Sequence, residues 1–333
     1  MPGKRKATLA AVSRKAGVSV STASRVLSGS AHHVAPATRE RVLRAARQVG
    51  YAPAAVARAT KRRRPGLIGL IVGDIGDPYF GEMARACEDA ARRHGYMSMV
   101  ASADRDPEKE LQQLRLFLAQ DAAGVILASD TGEVSAPELR AEIAAALTAD
   151  VRLVSIGASA HQVPRVRVDA EAASAELTSY LISLGHRRVV YFGGPEGMVT
   201  SEQRERGYRS SMEAAGFEPE TRPAGASAEA GAGAAMALLA EGALPEAILC
   251  FNDEAASGVL IALDDAHVAV PERVSLAGMG NSASARLAGI ASVDLAAAGL
   301  VERAIERILS SELGDDLLVP HRLVPRGSVR LRA

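Results

Sequence analysis

From residue 67 onward, short apolar runs alternate with longer amphipathic segments, and few folds accommodate that alternation. The predicted strands occupy residues 67–72, 98–101, 125–128, 153–156, 189–192, 247–251 and 274–278. Between them lie predicted helices, such as residues 80–94, 107–120 and 200–215. Strands that alternate with helices of this length form parallel sheets with right-handed crossovers. We therefore expect an α/β body.

The order of the predicted strands divides this body into two lobes. We expect one parallel sheet to end near Arg165 and a second sheet to begin there. Ligands of such sheets bind beyond the carboxyl ends of the strands, so two facing sheets define a cleft. The pattern thus predicts a small-molecule site as well as a fold.

The charged residues are distributed unevenly along the chain. Residues 1–64 hold 15 Lys and Arg and one acidic residue, Glu40, whereas the rest of the chain holds 24 and 38. The formal net charge of zero therefore combines a basic head of about +14 with an acidic body of about −14. A basic head on an acidic body is the electrostatic footprint of a protein that binds a polyanion.

The basic head contains three predicted helices, at residues 8–16, 20–27 and 37–49. Gly17-Val18-Ser19 is expected to form the turn between the first two, because Gly suits a positive φ and Ser19 can cap the next helix. The second helix is apolar on one side and carries short hydroxyls and Arg25 on the other, a surface that can reach base edges or phosphates. In the third helix we expect an inward side and a basic outward side, made respectively of Val42, Leu43 and Ala46 and of Arg39, Arg41, Arg44 and Arg47. The alternative is a solvated three-helix bundle, but the turn, cap, polar side and charge together favour a DNA-binding helix-turn-helix.

Residues 8–27, TLAAVSRKAGVSVSTASRVL, closely resemble the DNA-binding signature of LacI/GalR-type bacterial transcription regulators. The similarity continues through residues 38–42 and 50–53. The resemblance implies that Val20 and Ser21 open the recognition helix and are the main base readers. It further implies that Thr22, Ser24 and Arg25 support them or reach phosphates and neighbouring bases. The other DNA-contacting positions that it implies are Thr8, Ser19, His32, Tyr51, Ala57 and Thr60.

The same resemblance implies a hinge helix at residues 53–60. In the family, this helix becomes ordered on operator DNA, pairs with the same helix of the second subunit and wedges a Leu into the minor groove. A helix this short has only marginal stability alone in water. Thr60 stands at the Leu position here, and because Thr is smaller and partly polar, we expect a weaker kink. The basic run at residues 61–66 is expected to be a flexible linker that contacts phosphates.

The body resembles the periplasmic-binding-protein-type effector domain of the same family, through motifs at residues 74–80, 184–189, 251–254, 270–275 and 323–328. The implied fold is an all-α helix-turn-helix head plus an α/β body, with two parallel-sheet lobes of periplasmic-binding-protein type I and a cleft between them. The implied domains are a helix-turn-helix domain at residues 1–50, a hinge and basic linker at 51–65, and an effector-binding and dimerisation domain at 66–333. Within the last, the N-lobe spans about 66–165 plus 295–320, and the C-lobe about 166–294 plus 321–333.

By position, the resemblance assigns six residues to the effector cleft. Tyr79 and Phe80 match the N-terminal wall, and Arg204 matches an Arg that grips anions or hydroxyls. Asn252 and Asp253 match the polar pair after a C-terminal strand. Gly280 is the sixth, at a position where the family usually has Asp.

The cleft departs from the family pattern at three positions. Gly157 and Gly280 stand where Asp is usual, the latter followed by Asn281, and Ala226 stands where a stacking aromatic is usual. Two missing carboxylates remove acceptors for vicinal hydroxyls, which argues against an ordinary monosaccharide mode. The sequence leaves open a bulkier and less hydroxylated ligand, an anionic ligand, or a cleft that no longer responds to small molecules.

We expect a homodimeric, sequence-specific DNA-binding transcription regulator, most simply a repressor, on a pseudo-palindromic operator. A small-molecule effector, sugar-like or atypical, is expected to modulate it, and a cytoplasmic, nucleoid-associated location follows. One alternative is a DNA-binding regulator that works without an effector. Another is a solute-binding protein without a DNA role, which would need a signal peptide and would lack the basic head.

Other function classes receive little support from the sequence. Gly278-Met279-Gly280 is not a GxGxxG loop after a strand, and no GxSxG elbow occurs, so we predict no catalytic residues and no cofactor. Cys87 and Cys250 lie far apart without CxxC spacing or a His cluster, which argues against a metal site and a disulfide. No apolar run is long enough to predict a membrane span.

Overall fold

The computed structural model describes residues 9–28, 34–49, 66–129, 137–149, 151–157, 163–242, 244–310 and 313–332. The chain divides into two units, residues 1–65 and residues 66–333, which are described separately below.

The first unit is helical, as its pattern predicts. Its described helices are α1 (Leu9–Ala16), α2 (Val20–Ser28) and α3 (Pro36–Val49). They pack around a small apolar core made of Val12, Ala16, Ala23, Val26, Leu27, Val42, Ala45 and Ala46. Gly17 adopts a φ of 63° in the turn between α1 and α2, which confirms the expected left-handed turn residue.

One prediction for α3 is wrong. Leu43 is 39% exposed, whereas Ala45 is 4% exposed and takes the core position expected for Leu43. The reason is helical periodicity, because Val42, Ala45 and Ala46 lie three and four residues apart on one face. Leu43 lies about 100° around the helix from Val42 and faces away from the core.

The second unit begins with a parallel sheet. Its elements are, in chain order, β1 (Leu67–Val72), α4 (Pro78–Arg93), β2 (Met97–Ser102), α5 (Pro107–Ala119), β3 (Gly124–Ala128), α6 (Pro137–Thr148), β4 (Arg152–Ile156) and β5 (Arg165–Arg167). Strands β1, β3 and β4 are nearly continuous apolar runs buried on both faces, as expected when helices cover both sides of a parallel sheet. The strand order is β11-β5-β4-β3-β1-β2, in which β11 (Leu317–Leu318) comes from much later in the chain.

The chain then builds a second lobe. Its elements are α7 (Ala170–Ser183), β6 (Val189–Gly193), α8 (Val199–Ala214), β7 (Glu220–Pro223), α9 (Ala228–Ala240), β8 (Ala247–Cys250), α10 (Asp253–Asp265), β9 (Ser275–Ala277) and α11 (Ala283–Ala288). The sheet order is β7-β6-β8-β9, and every pair in it is parallel. The seven strands predicted from the sequence are all present, each to within one residue at either end.

After β10 (Ser292–Asp294) the chain returns to the first lobe. There, α12 (Ala297–Leu309) packs into the core beneath the first sheet, and β11 (Leu317–Leu318) pairs with β5 at its edge. The chain crosses once more, because β12 (Arg322–Val324) pairs antiparallel with β10. The predicted boundary between residues 165 and 166 therefore needs correction: it falls inside β5, which belongs wholly to the first sheet.

The segment after β12 is bound firmly to the second lobe. Ser328 is buried, and its hydroxyl donates to the Leu276 carbonyl at 2.6 Å and accepts from the Ala291 amide at 2.8 Å. Arg326 donates to the Ile290 carbonyl at 2.6 Å. These bonds tie the segment to β9 and to the chain just before β10.

Candidate functional site

The exposed side of α2 has the chemistry expected of a DNA-reading helix. Ser19 caps it, because its hydroxyl accepts from the Thr22 amide at 3.1 Å, as the sequence predicts. The same hydroxyl lies 2.9 Å from the Ser21 hydroxyl and 2.8 Å from the Thr22 hydroxyl. Val20, 49% exposed, stands on the solvent side of the helix, and Ser21, Ser24 and Arg25 are exposed beside it.

Five of the predicted DNA-contacting residues lie outside the described residues: Thr8, His32, Tyr51, Ala57 and Thr60. The same holds for the predicted hinge helix and for the basic run before Gly66. Their predicted roles, including the weaker kink at Thr60, stay predictions.

The six residues predicted for the effector site line one cavity between the two lobes: Tyr79, Phe80, Arg204, Asn252, Asp253 and Gly280. The cavity encloses about 880 Å³, counted out to its opening to solvent. It lies where α4, α8 and α10 begin, just beyond the carboxyl ends of β1, β6 and β8. This is the position that parallel sheets favour for ligands.

The start of α4 forms one wall of the cavity. Asp77 caps this helix by accepting from the Tyr79 amide at 3.0 Å. The rings of Tyr79 and Phe80 meet edge to face, with centroids 5.4 Å apart. Burial raises the pKa of Asp77, while its bond from Tyr79 and the charge of Arg105 oppose that shift.

Two polar contacts join the lobes beside the cavity. The Asn252 amide group donates to Asp77 at 3.2 Å, and Arg286 forms an ion pair with Glu82 at 2.7 Å. Asn252 also donates to the Ala226 carbonyl at 2.9 Å and caps α10 through the Ala255 amide. The hydrogen-bonding groups of Asn252 therefore serve the fold.

Asp253 is likewise engaged by its own chain. It is buried, one carboxylate oxygen accepts from the Ser282 amide at 2.7 Å, and the other accepts from the Ser292 hydroxyl at 2.7 Å. Burial raises its pKa, against those bonds and the nearby charge of Arg326. The backbone of Gly280 runs directly over this carboxylate, since an added Cβ there would lie 3.3 Å from it.

Arg204 is different, because its charge has no counterpart. Its side chain is 8% exposed, its guanidinium lies 4.6 Å from the centroid of the Phe251 ring, and one nitrogen donates to the Phe251 carbonyl at 2.6 Å. Its Nε is buried without a hydrogen-bond partner. Among the residues that the structure describes, no carboxylate forms an ion pair with it.

Several lining residues were not anticipated from the sequence. Arg105 and Gln203 add polar groups, and Met83, Ile156 and Leu300 add apolar surface. Asp77 and Arg105 follow strands β1 and β2, so a rule of inspecting polar residues after strands would have found them. Leu300 comes from α12, on the returning chain, and no local pattern indicates that it reaches the cleft.

Comparison with known proteins assigns the family. Residues 66–314 match the family model described as periplasmic binding proteins and sugar binding domain of LacI family, and residues 8–54 match that of bacterial regulatory proteins, lacI family. The chain belongs to the LacI family. It is therefore a DNA-binding transcriptional regulator with an effector-binding domain. The members of this family are regulators rather than enzymes. The match also confirms the predicted fold class.

Related proteins span nearly the whole chain. Catabolite control protein A of Priestia megaterium is 28% identical over 97% of this chain and 99% of the relative, and the Staphylococcus epidermidis protein of the same name is also 28% identical, with the same coverage. Among solved structures, a Lac repressor dimer bound to operator and the anti-inducer ONPF has a TM-score of 0.76 at 24% identity, covering 98% of this chain and 100% of that one. A CelR–cellobiose complex has a TM-score of 0.66 at 26% identity, covering 96% and 99%.

None of the helices among the described residues is long and apolar enough to cross a membrane. Nor do three or more His, Cys, Asp or Glu side chains gather there into a group able to hold a metal ion. Cys87 and Cys250 are buried free thiols.

Proposed function

We propose that this LacI-family regulator is a repressor that binds a pseudo-palindromic operator as a homodimer. The observation that carries the proposal is the capped α2, which exposes Val20, Ser21, Ser24 and Arg25 on the surface of a basic head. A helix of this kind reads base edges in the major groove, and a two-fold dimer maps onto two half-sites. Binding over a promoter makes repression the simplest outcome.

The proposed roles belong to three successive segments of the chain. Residues 1–50 read DNA, residues 51–65 form a hinge and linker with Thr60 at the wedge position, and residues 66–333 bind effector and dimerise. A small molecule in the cleft would change operator affinity to the extent that it binds the two lobe arrangements differently. The match of residues 8–54 to a DNA-binding family disfavours a solute-binding protein without a DNA role.

Two apolar surfaces of the body support dimerisation with a second copy. The edge strand β2 exposes Met97 and Met99, and the α9–α10 pair exposes Met236 and Ile261, at 65% and 60%. Apolar side chains grouped in this way on the surface of a soluble domain are typical of protein interfaces. A Lac repressor relative of the same fold is described as a dimer on its operator.

The DNA-binding proposal is tested by fluorescence anisotropy on DNA from upstream of the protein's own gene. We expect binding that weakens steeply with salt and prefers a palindromic site over scrambled DNA of equal length. Ser21→Ala is expected to reduce the discrimination between cognate and altered half-sites by about 1 kcal/mol or more. The matched control, Thr38→Ala in α3, removes a hydroxyl from another helix and should leave that discrimination intact. Equal affinity for cognate and scrambled DNA would refute the proposal.

The dimer proposal has its own test by sedimentation velocity. Met99→Glu and Ile261→Glu place a charge on the two apolar surfaces, and we expect at least one to convert the dimer to monomer. Glu213→Lys, an exposed change on α8, serves as the control. A wild-type protein that sediments as a monomer at micromolar concentration contradicts the proposal.

A further inference from the structure

The cleft contains a buried cation without a matching anion. Arg204 is more than nine-tenths buried, and its charge is met only by the Phe251 carbonyl and ring. A buried charge is costly unless it is paired and fully hydrogen-bonded, and the Nε of Arg204 has no partner. The hydrogen-bonding capacity of the Arg204 guanidinium is therefore not fully used by the folded chain.

Arg105 also lines the cavity and also has a buried Nε without a hydrogen-bond partner, but its charge is paired. Arg105 forms an ion pair with Asp74 at 2.9 Å and lies 3.9 Å from Asp77. The cation that acts on Asp253 is Arg326, from outside the cavity lining. Arg105 therefore faces both Asp74 and Asp77, whereas Arg204 forms no ion pair with a carboxylate of the described residues.

Two of the polar residues that line this cavity, Asn252 and Asp253, are already hydrogen-bonded to their own chain. Both oxygens of Asp253 accept from the chain, and the hydrogen-bonding groups of Asn252 are used as described above. Gly157 and Gly280 line the cavity without side chains. Each hydroxyl of a bound sugar would need an acceptor or donor, and an unmet one is penalised.

Most of the remaining lining is apolar. Aromatic and aliphatic side chains form the walls, namely Phe80, Met83, Ile156, Phe251, Met279 and Leu300. Such walls favour the burial of a flat hydrocarbon body. A predominantly apolar pocket with few convergent polar groups, among which Arg204 has no ion-pair partner, selects a ligand with an apolar body and one anionic group.

We propose that the effector of this regulator is a small organic monoanion, a carboxylate on a flat apolar body, whose carboxylate binds Arg204. The inference rests on the proposed function, since it names the ligand class of the effector cleft. The guanidinium offers the forked donor geometry that matches a carboxylate, and the apolar body replaces water along the walls. A neutral sugar would leave the charge of Arg204 unmet.

The first experiment uses the full-length wild-type protein and isothermal titration calorimetry without DNA. The probes are benzoate, phenylacetate, 3-phenylpropionate and indole-3-acetate, each paired with its neutral amide, together with glucose, cellobiose and inorganic phosphate. We expect at least one carboxylate to bind about 10- to 100-fold more tightly than its amide, as the loss of a charge-assisted hydrogen-bond pair predicts. Binding of a sugar but of no carboxylate overturns the proposal, as do equal affinities for acid and amide, no binding by any probe, or phosphate binding as tightly as the best carboxylate.

The second experiment changes the receptor. Arg204→Gln is expected to reduce carboxylate affinity by the same 10- to 100-fold factor while the affinity for the amide stays within about threefold. The matched control is Arg209→Gln, one turn further along α8, where the Arg pairs with Glu205 on the surface. Undiminished carboxylate binding in Arg204→Gln overturns the proposal. If that variant fails to fold, the acid–amide comparison on the wild-type protein decides alone.

The two proposals fail in different ways. Calorimetry without DNA measures the cleft alone, so its result does not depend on operator binding. Anisotropy on operator DNA without ligand measures the head alone. A protein that binds DNA selectively and ignores every carboxylate refutes the ligand class, whereas one that binds a carboxylate and shows no selective DNA binding refutes the proposed regulator.

Discussion

Two glycines in the same helix are predicted to respond oppositely to the same substitution. Gly231 and Gly233 both lie in α9, two residues apart. A Cβ at Gly231 would lie 2.1 Å from the Ala255 carbonyl oxygen of α10, whereas nothing lies within 4 Å of a Cβ at Gly233. The contact at Gly231 is with backbone, so no side chain can move aside, and the two groups must separate from 2.1 Å to at least 3.4 Å to reach ordinary contact distance.

The magnitudes follow from two opposing effects. Replacing Gly by Ala within a helix stabilises it by about 1 kcal/mol, because Ala loses less backbone freedom on folding. Forcing apart a packed interface costs about 1–3 kcal/mol, and a rigid carbonyl places the cost at the upper end. We therefore expect Gly231→Ala to destabilise the protein by about 2 kcal/mol. Gly233→Ala should stabilise it by about 0.5–1 kcal/mol.

Differential scanning calorimetry of the full-length protein measures both effects. At about 2–4 °C per kcal/mol for a unit of this size, Gly231→Ala should lower the melting temperature by about 4–8 °C. Gly233→Ala should raise it by about 1–4 °C. The reasoning is wrong if the two variants shift in the same direction, since both gain the same helix propensity and differ only in the contact with α10.

Three further predictions concern single side chains. Ser19→Ala removes the cap of α2 and should destabilise the isolated head by about 1 kcal/mol in urea melts monitored by circular dichroism; an unchanged midpoint contradicts the assigned cap. His186 is buried with Nε2 3.1 Å from the Arg330 carbonyl, and burial lowers its pKa. The unfolded chain therefore takes up the proton first, and the free energy of unfolding should fall as pH drops below about 6.5. In His186→Gln this pH dependence should be flatter, and a profile parallel to that of the wild type argues against the role of His186. Glu82→Gln breaks the ion pair with Arg286 that joins the lobes, and we expect a stability loss of less than about 1 kcal/mol but faster amide hydrogen exchange at α4 and α11. Unchanged exchange at these two helices contradicts a role in lobe closure.

Much of the fold could be predicted because its longer helices and strands show clear patterns of apolar residues. The strands β1, β3 and β4 are nearly continuous apolar runs, and α2 and α3 have distinct buried faces. The strands missed were β5, β7, β10, β11 and β12, each of two to four residues. Segments so short contain too few residues to express a period of two, and tertiary pairing alone makes them strands.

The candidate site could likewise be predicted only in part. Tyr79, Arg204 and Asn252 could be placed because the sequence resembles the LacI/GalR family at these positions, in a cleft that parallel sheets favour for ligands. What could not be predicted is which polar groups remain available. Asn252 and Asp253 are occupied by contacts with distant segments, including Ala226 and Ser292, and only the folded arrangement reveals that.

Residues 323–328, which begin within β12, read Leu-Val-Pro-Arg-Gly-Ser and resemble a protease-cleavage linker that is cut after its Arg. In the folded chain the Arg326 side chain, which a protease of this specificity must bind, is held by Ile290 and Asn281, and Ser328 beyond the scissile bond is buried. Cleavage after Arg326 therefore requires this segment to detach from the second lobe, and under limiting protease the cutting rate reports the fraction of molecules in which it is detached. Limited proteolysis followed on a gel therefore measures the native-state opening of this segment without a label. Candidate ligands of the cleft can be screened by their effect on the cutting rate.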